Sequence, residues 1–292
     1  MEIRIEKLSP KADRLLPNAE LTRLCGGYLF SEGPVWDDRQ ECLYFTDFQR
    51  NEIWRWSERD GARLYREGSN RAIGLSMDAS GRIVSAESSK RRIAYADGKA
   101  SEQIVGAYRG KPLNSPNDVV VARSGIVFFT DPYSEMMGGP KDLGFNGVFS
   151  ILPGGELQLI DDSYDRPNGI SLSPDESVLY VNDTKRQSIY SYALGPGGAA
   201  VPKGLFAAVD PSRGDGAVDG MKGDLEGNVY VTGPAGVWVF DPEGKALAIL
   251  HLPEKAGNLC FGGADAMTLF LTATTSVYSL RVGARGIVPF RK

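Results

Sequence analysis

The sequence predicts an all-β fold: a six-bladed β-propeller with four-stranded blades. Three observations carry that prediction. A pair of short alternating segments recurs six times, at intervals of about 40 to 52 residues. The segments alternate with period two, are rich in β-branched and aromatic residues, and are bounded by Gly, Asp and Pro. No stretch shows a long apolar stripe of helical period.

The units follow one another along the chain. "LYFTDF" (43–48) precedes "EIWRWS" (52–57), and "IVSAES" (83–88) precedes "RIAYAD" (92–97). "IVFFTD" (126–131) leads to "GVFSIL" (147–152), and "LYVNDT" (179–184) to "SIYSYA" (188–193). "VYVTGP" (229–234) leads to "GVWVFD" (236–241), and "LFLTAT" (269–274) to "SVYSLR" (276–281). With strands lettered a to d from the axis outward, these pairs are strands b and c. "ELQLIDD" (156–162) is then strand d of the third blade. "ELTRLC" (20–25) has the same phase but precedes the first blade. It is expected to complete the last blade and close the ring without an open edge. Residues 1–292 read as a single propeller domain, with a closing segment over about 1–26 and blades over about 27–292.

Composition excludes several functions. Net charge is −4 and the one basic run is Lys90-Arg91-Arg92, so no nucleic-acid partner is expected. No apolar run is long enough to cross a bilayer, and no polybasic anchor is present, so no membrane partner is expected. The single histidine, His251, excludes a histidine-rich zinc site. Without a GxSxG elbow it supports no serine triad, and it is expected to be structural. Cys25, Cys42 and Cys260 are odd in number, scattered, and form no CxxC pair. Free thiols and an N-terminus lacking a secretory pattern point to the cytoplasm, with the protein a monomer or small homo-oligomer.

One repeat phase gathers oxygen-bearing side chains. At the start of strand a stand Glu32 in "SEGPVW", Ile73 in "AIGLSM" and Asn117 in "SPNDVVV". The same phase holds Asn168 in "RPNGISL", Asp219 in "AVDGMKG" and Asn258 in "AGNLCFG". Asn-Gly alone is a turn former. Six residues at one phase, however, converge on the mouth of the central channel. They would bring two carboxylates and up to three amide oxygens around one axis, with Ile73 facing the mouth without coordinating. Such a donor set suits one divalent cation: Ca2+ first, with Mg2+, Mn2+, Zn2+ and Fe2+ also compatible.

Other residues are placed at the same mouth. Strand b ends at Asp47, Glu87, Asp131 and Asp183, whose carboxylates either cap turns or orient the metal-binding side chains. Asp183 is expected nearest the site. The connection from Pro132 to Asn146, "PYSEMMGGPKDLGFN", is long for a compact repeat. Its Tyr133, Glu135, Met136 and Met137 would wall a pocket over the cation.

At this point the sequence resembles a known family. "SEGPVWD…LYFTD", "SPNDVVV…VFFTDP", "RPNGISLSPDESVLYVNDT", "VDGMKGDLEGNVYVTGPAGVWVFDPEGK" and "NLCFGGADAMTLFLTA" are similar to the SMP-30/gluconolactonase/LRE family. Five motifs stand in order over about residues 28–281, and the bacterial gluconolactonase group is the nearest in character. The resemblance implies hydrolysis of a sugar lactone on one catalytic divalent metal. It places the metal-binding glutamate on Glu32, the PNG asparagine on Asn168 and the catalytic aspartate on Asp219. The PND asparagine falls on Asn117, which in the family touches either the metal, its water or the substrate. An acidic substrate-binding residue falls on Glu135. The substrate-binding arginine of the animal branch falls on Ser115, so that part of the pocket does not carry over.

Together these readings give an expected chemistry. A cation polarises the lactone carbonyl and activates water, and a carboxylate moves the proton. Asp219 is assigned as that base, with Glu32, Asn168, Asp219 and Asn117 on the metal. Asn114, Asn117, Tyr133 and Glu135 are assigned to the substrate's hydroxyls, and Asp47, Asp131 and Asp183 to the surrounding support. Two alternatives share the fold: a related metal-dependent esterase, phosphotriesterase or non-sugar lactonase, and a non-catalytic propeller with a structural metal.

Overall fold

A computed structural model describes residues 1–17, 20–137 and 139–291, except for the side chain of Met137. Six antiparallel sheets form a six-bladed propeller. Blade 1 is Ser31–Asp37, Cys42–Asp47, Glu52–Ser57 and Gly61–Glu67, in that order outward. Blade 2 begins at Ala72–Met77, blade 3 at Val119–Val121 and blade 4 at Pro167–Leu172. Blade 5 begins at Met221–Gly223 and blade 6 at Ala256–Gly262.

Burial falls from the axis outward. Every residue of Ser31–Asp37 and Cys42–Asp47 is buried, whereas Gly61–Glu67 is largely half-buried or exposed. The innermost strands therefore read as nearly continuous runs of apolar and small residues, because both faces meet a neighbouring blade. The apolar core lies between consecutive blades. Val35, Tyr44, Leu75 and Met77 fill the space between blades 1 and 2. Val84, Ile93, Val119, Phe129 and Phe149 fill that between blades 2 and 3.

Ring closure follows the sequence phase. Leu21–Gly26 pairs antiparallel with Ser276–Arg281 as the outer strand of blade 6. The N-terminus also does more than the sequence signalled. Ile5–Lys7 adds a fifth strand outside Ala246–His251, so blade 5 departs from the expected four. A five-residue helix, Lys11–Leu15, joins these two strands' surroundings and buries Ala12 and Leu15. Its anchor is tertiary: the Gly283 N–H donates to the Leu15 carbonyl at 2.7 Å. A segment of three residues and one of five are too short for periodicity to reveal.

The C-terminal tail crosses the opposite end of the channel. Ile287 N–H donates to Gly223 O at 3.0 Å, and Arg291 pairs with Asp38 of blade 1. Beneath it lies a cavity of about 250 Å3 walled by Val35, Leu75, Val119, Leu172, Ile287 and Phe290. That apolar space is at the far end from the phased carboxylates, and Lys222 is the residue that reaches from its wall toward them.

Candidate active site

The strand-a starts do converge, and the blade seams show why. Thr130 Oγ1 donates to the Asn168 carbonyl of the next blade at 2.6 Å and accepts from Asp118 N–H at 3.1 Å. Thr46 Oγ1 donates to Ile73 O at 3.1 Å, and Thr232 Oγ1 to Gly257 O at 2.8 Å. Asn182 Nδ2 makes the equivalent bond to Asp219 O. Each donor stands at or near the end of strand b and holds the next blade's entry to the axis. The backbone approach is close: a Cβ on Gly257 would lie 2.3 Å from Glu32 Oε1. Glycine there leaves room for the carboxylate.

Three carboxylates share this mouth. Glu32 is buried, and its Oε2 accepts Gly33 N–H at 2.9 Å. Burial pushes its pKa well above the usual range, and the charge of Asp219 adds to the rise. Asp219 is half-buried. Burial pushes it up to about 7; Asp118 adds to that rise, and Lys255 and Arg166 oppose it. Asp118 is the third, buried, with Oδ1 accepting Val119 N–H at 2.9 Å and Oδ2 lying 3.8 Å from Lys222 Nζ. Sequence reasoning missed Asp118 and Lys222. Both were visible, in "SPNDVVV" and "DGMKG", but one residue along from the phase that was followed and three along from it respectively.

Asn168 supplies the most informative atom. Its Nδ2 donates to Thr184 Oγ1 at 3.0 Å, and that hydroxyl donates onward to Val218 O at 2.9 Å. The relay fixes the amide's orientation. Its Oδ1 is buried with no hydrogen-bond partner, and the side chain neighbours Asp219. Asn258 behaves differently. Its Oδ1 accepts Leu259 N–H at 2.8 Å, so its amide nitrogen serves Glu32. One of the three expected amide oxygens is thus already used. Asn117 is half-buried at the mouth, with its carbonyl accepting Gly74 N–H at 2.7 Å. Ile73 is buried at the same level. Among the described residues no three His, Cys, Asp or Glu side chains form a ready chelate. What converges is three carboxylates, Glu32, Asp118 and Asp219, with the Asn168 amide oxygen beside Asp219.

The supporting residues are engaged with main chain. Asp47 accepts Leu29 N–H at 2.8 Å and Phe30 N–H at 3.2 Å. Asp183 accepts Asp165 N–H at 2.8 Å and Lys185 N–H at 2.9 Å. Asp131 Oδ2 accepts Asn114 N–H at 2.8 Å, while its Oδ1 is buried without a partner. Burial pushes Asp131 up to about 7. Glu87 is held by Arg92 Nε at 2.7 Å and Asn70 Nδ2 at 2.9 Å. Asn114 spends its Nδ2 on Asp131 O at 3.0 Å and Phe145 O at 2.8 Å, bracing the base of the long loop.

That loop rises on the same face. Tyr133 is half-buried, its N–H donating to Asn146 Oδ1 at 2.8 Å, and Glu135 is exposed in a single 3-10 turn. Met136 is exposed, while the Met137 side chain lies outside the described residues. Arg91 ties the loop to blade 2 through Asp142 at 2.7 Å. His251 ends the fourth strand of blade 5, away from the axis and 3.3 Å from Glu6, and all three cysteines are free. No described helix is long and apolar enough to cross a membrane.

Comparison with known proteins places the chain. The model of the SMP-30/Gluconolactonase/LRE-like region matches residues 30–275. A gluconolactonase of Zymomonas mobilis is 32% identical, over 97% of this chain and 87% of its own. The structure of a gluconolactonase from Xanthomonas campestris superposes with a TM-score of 0.88 at 32% identity, covering 97% of both chains. A calcium-binding regucalcin from Agrobacterium tumefaciens shares the fold, with a TM-score of 0.77 at 19% identity over 92% of this chain and 97% of that one. The chain belongs to the SMP-30/gluconolactonase/LRE-like family.

Proposed function

We propose that this chain is a lactonase that hydrolyses a sugar lactone to its aldonic acid, with one divalent cation held by Glu32, Asn168 and Asp219. The observation that carries this reading is Asn168 Oδ1, a buried acceptor without a partner beside two carboxylates that burial disfavours as anions. A buried oxygen with no donor is costly unless something occupies it. All the donors are oxygens, which suits a hard cation and puts Ca2+ first. The name of the Agrobacterium relative, a calcium-binding protein, agrees with that choice.

A bound cation would supply Lewis acidity toward the lactone carbonyl and a water of lowered pKa. The chain's own residues do the rest. Glu32 is fixed by Gly33 N–H and the Asn258 amide, which suits a permanent ligand. Asp219, half-buried at the mouth with a carboxyl pushed up to about 7, takes the proton of the attacking water. It returns that proton to the ring oxygen as the ester C–O bond breaks. Asn117, half-buried across the mouth, is the fourth ligand or a hydrogen-bond partner for the lactone. Tyr133 and Glu135, half-buried and exposed on the long loop, are the residues assigned to the sugar hydroxyls.

A lactone panel tests the reading. Gluconolactone and a pentonolactone are incubated with the protein, with chelator, and with chelator followed by excess Ca2+. Hydrolysis that is lost and then restored is expected. Rates equal to buffer alone under every metal would sink the proposal, and hydrolysis of a phosphotriester in place of lactones would redirect it.

A further inference from the structure

Proton accounting at Thr184 fixes which way the Asn168 amide faces. The Val218 carbonyl can only accept, so the 2.9 Å bond to it takes the single proton of the Thr184 hydroxyl. Thr184 Oγ1 can then only accept, and the Asn168 atom lying 3.0 Å from it must be the nitrogen. Turning the amide over would set two oxygens without a proton against each other and point the N–H groups to the opposite side. Val218 is itself held in place. It is buried, and its N–H donates to Gln187 Oε1 at 3.2 Å, while Gln187 Nε2 donates to the Thr184 carbonyl at 2.7 Å.

The main chain at this seam is secured separately. Asn182 Oδ1 accepts Gly169 N–H at 3.1 Å, and its Nδ2 donates to Asp219 O. Blade 2 offers an internal comparison. Ser88, at the same repeat phase as Thr184, donates to Pro116 O at 2.6 Å, immediately before Asn117. In blade 2 the place of Asn168 is taken by Ile73, which has no side-chain proton to offer that hydroxyl. Bonding the next blade's carbonyl is thus common to both seams, and accepting from an amide is particular to blade 4. We infer that Thr184 is a positioning residue: it holds Asn168 with Nδ2 turned toward Thr184 and Oδ1 left as a buried acceptor for the cation of the mouth. The second half of that inference rests on the cation reading above.

The test is calorimetric Ca2+ titration of the chelator-stripped protein at pH 8, for Thr184→Val and Thr184→Ser, each alone and combined with Asn168→Asp. Valine keeps the shape and removes the acceptor, and serine restores it. A carboxylate at position 168 presents an oxygen whichever way it turns, so it does not depend on the hydroxyl for orientation. Alone, Thr184→Val should weaken Ca2+ binding by roughly tenfold or more, and in the Asn168→Asp background by less than about threefold. Thr184→Ser should stay within about threefold of wild type. Equal weakening in both backgrounds would make Thr184 merely structural and overturn the inference, as would an unchanged affinity in Thr184→Val. Orientation is read separately by NMR on the chelated wild type. The Asn168 side-chain amide protons should show nuclear Overhauser contacts to the Thr184 methyl group, and their absence overturns the assignment. If the wild type binds no divalent cation, the cation reading fails instead, and the NMR contacts decide the orientation alone.

Discussion

Asp219 sets the pH behaviour at the scale of single residues. Without a cation its carboxyl is pushed up to about 7, chiefly by burial. A cation must therefore displace a proton below that pH. Metal affinity should tighten by at least about tenfold per pH unit from pH 5 to 7, because the raised Glu32 must also give up its proton. Calorimetric titration with Ca2+ across that range checks the slope. A flat affinity would mean that no proton leaves the site. The convergence of Glu32, Asn168 and Asp219 on the mouth was legible because each occupies one repeat phase. Asp118 was not, since a phase argument selects one position per blade and its neighbour points into the channel by strand alternation. Asn258 shows the complementary limit: its residue type suggested an oxygen donor, but the Leu259 N–H claims that oxygen at 2.8 Å.

Among the elements, the seams between blades carry the geometry. Thr130 bonds Asp118 on its own blade and Asn168 on the next, so one hydroxyl couples two parts of the mouth. Thr130→Val keeps the shape and removes both bonds. A loss of about 1–3 kcal/mol is expected, from two unsatisfied buried groups. Metal affinity should fall with it, whereas Ser173, hydrogen-bonded at the far end of blade 4, should affect stability alone when replaced by Ala. Denaturant unfolding and metal titration of both variants separate the cases. Gly169 offers a sharper probe, because its Cβ would lie 2.1 Å from the Asp219 carbonyl. Gly169→Ala should displace Asp219 and cost metal binding even though glycine there has an ordinary φ. The threonine before the acid was visible in "LYFTD" and "VFFTD". Its partner on the next blade was not, because no sequence pattern states how closely blades approach.

Across the whole molecule, ring closure was the most legible feature. The phase of "ELTRLC" required an outer strand with no blade of its own, and Leu21–Gly26 supplies it in blade 6. The fifth strand of blade 5 and the crossing of the C-terminal tail were hidden, since neither repeats. The buried carboxyls predict the stability of the entire fold. Glu32, Asp131 and Asp219 are all raised, so the folded protein holds protons that the unfolded chain releases. In the chelated protein, stability should fall as pH rises from about 4 through about 7. A bound cation should cancel the part due to Glu32 and Asp219, but not that of Asp131. Melting temperatures at pH 5 and pH 8 should therefore drop with chelator, and Ca2+ should raise the value at pH 8 more than that at pH 5. Equal effects of Ca2+ at both would contradict the linkage.

The most direct test of the account is lactone hydrolysis by Asp219→Asn and Glu32→Gln across a metal titration, followed by acid release. The Asp219→Asn amide keeps an oxygen donor but is a poor proton acceptor. Its metal-saturated rate should stay lower than wild type by a factor on the order of 10² or more. Glu32→Gln should act mainly through affinity, with much of its rate restored by excess metal. Near wild-type turnover by metal-saturated Asp219→Asn would contradict the assignment of Asp219 as the group that moves the proton.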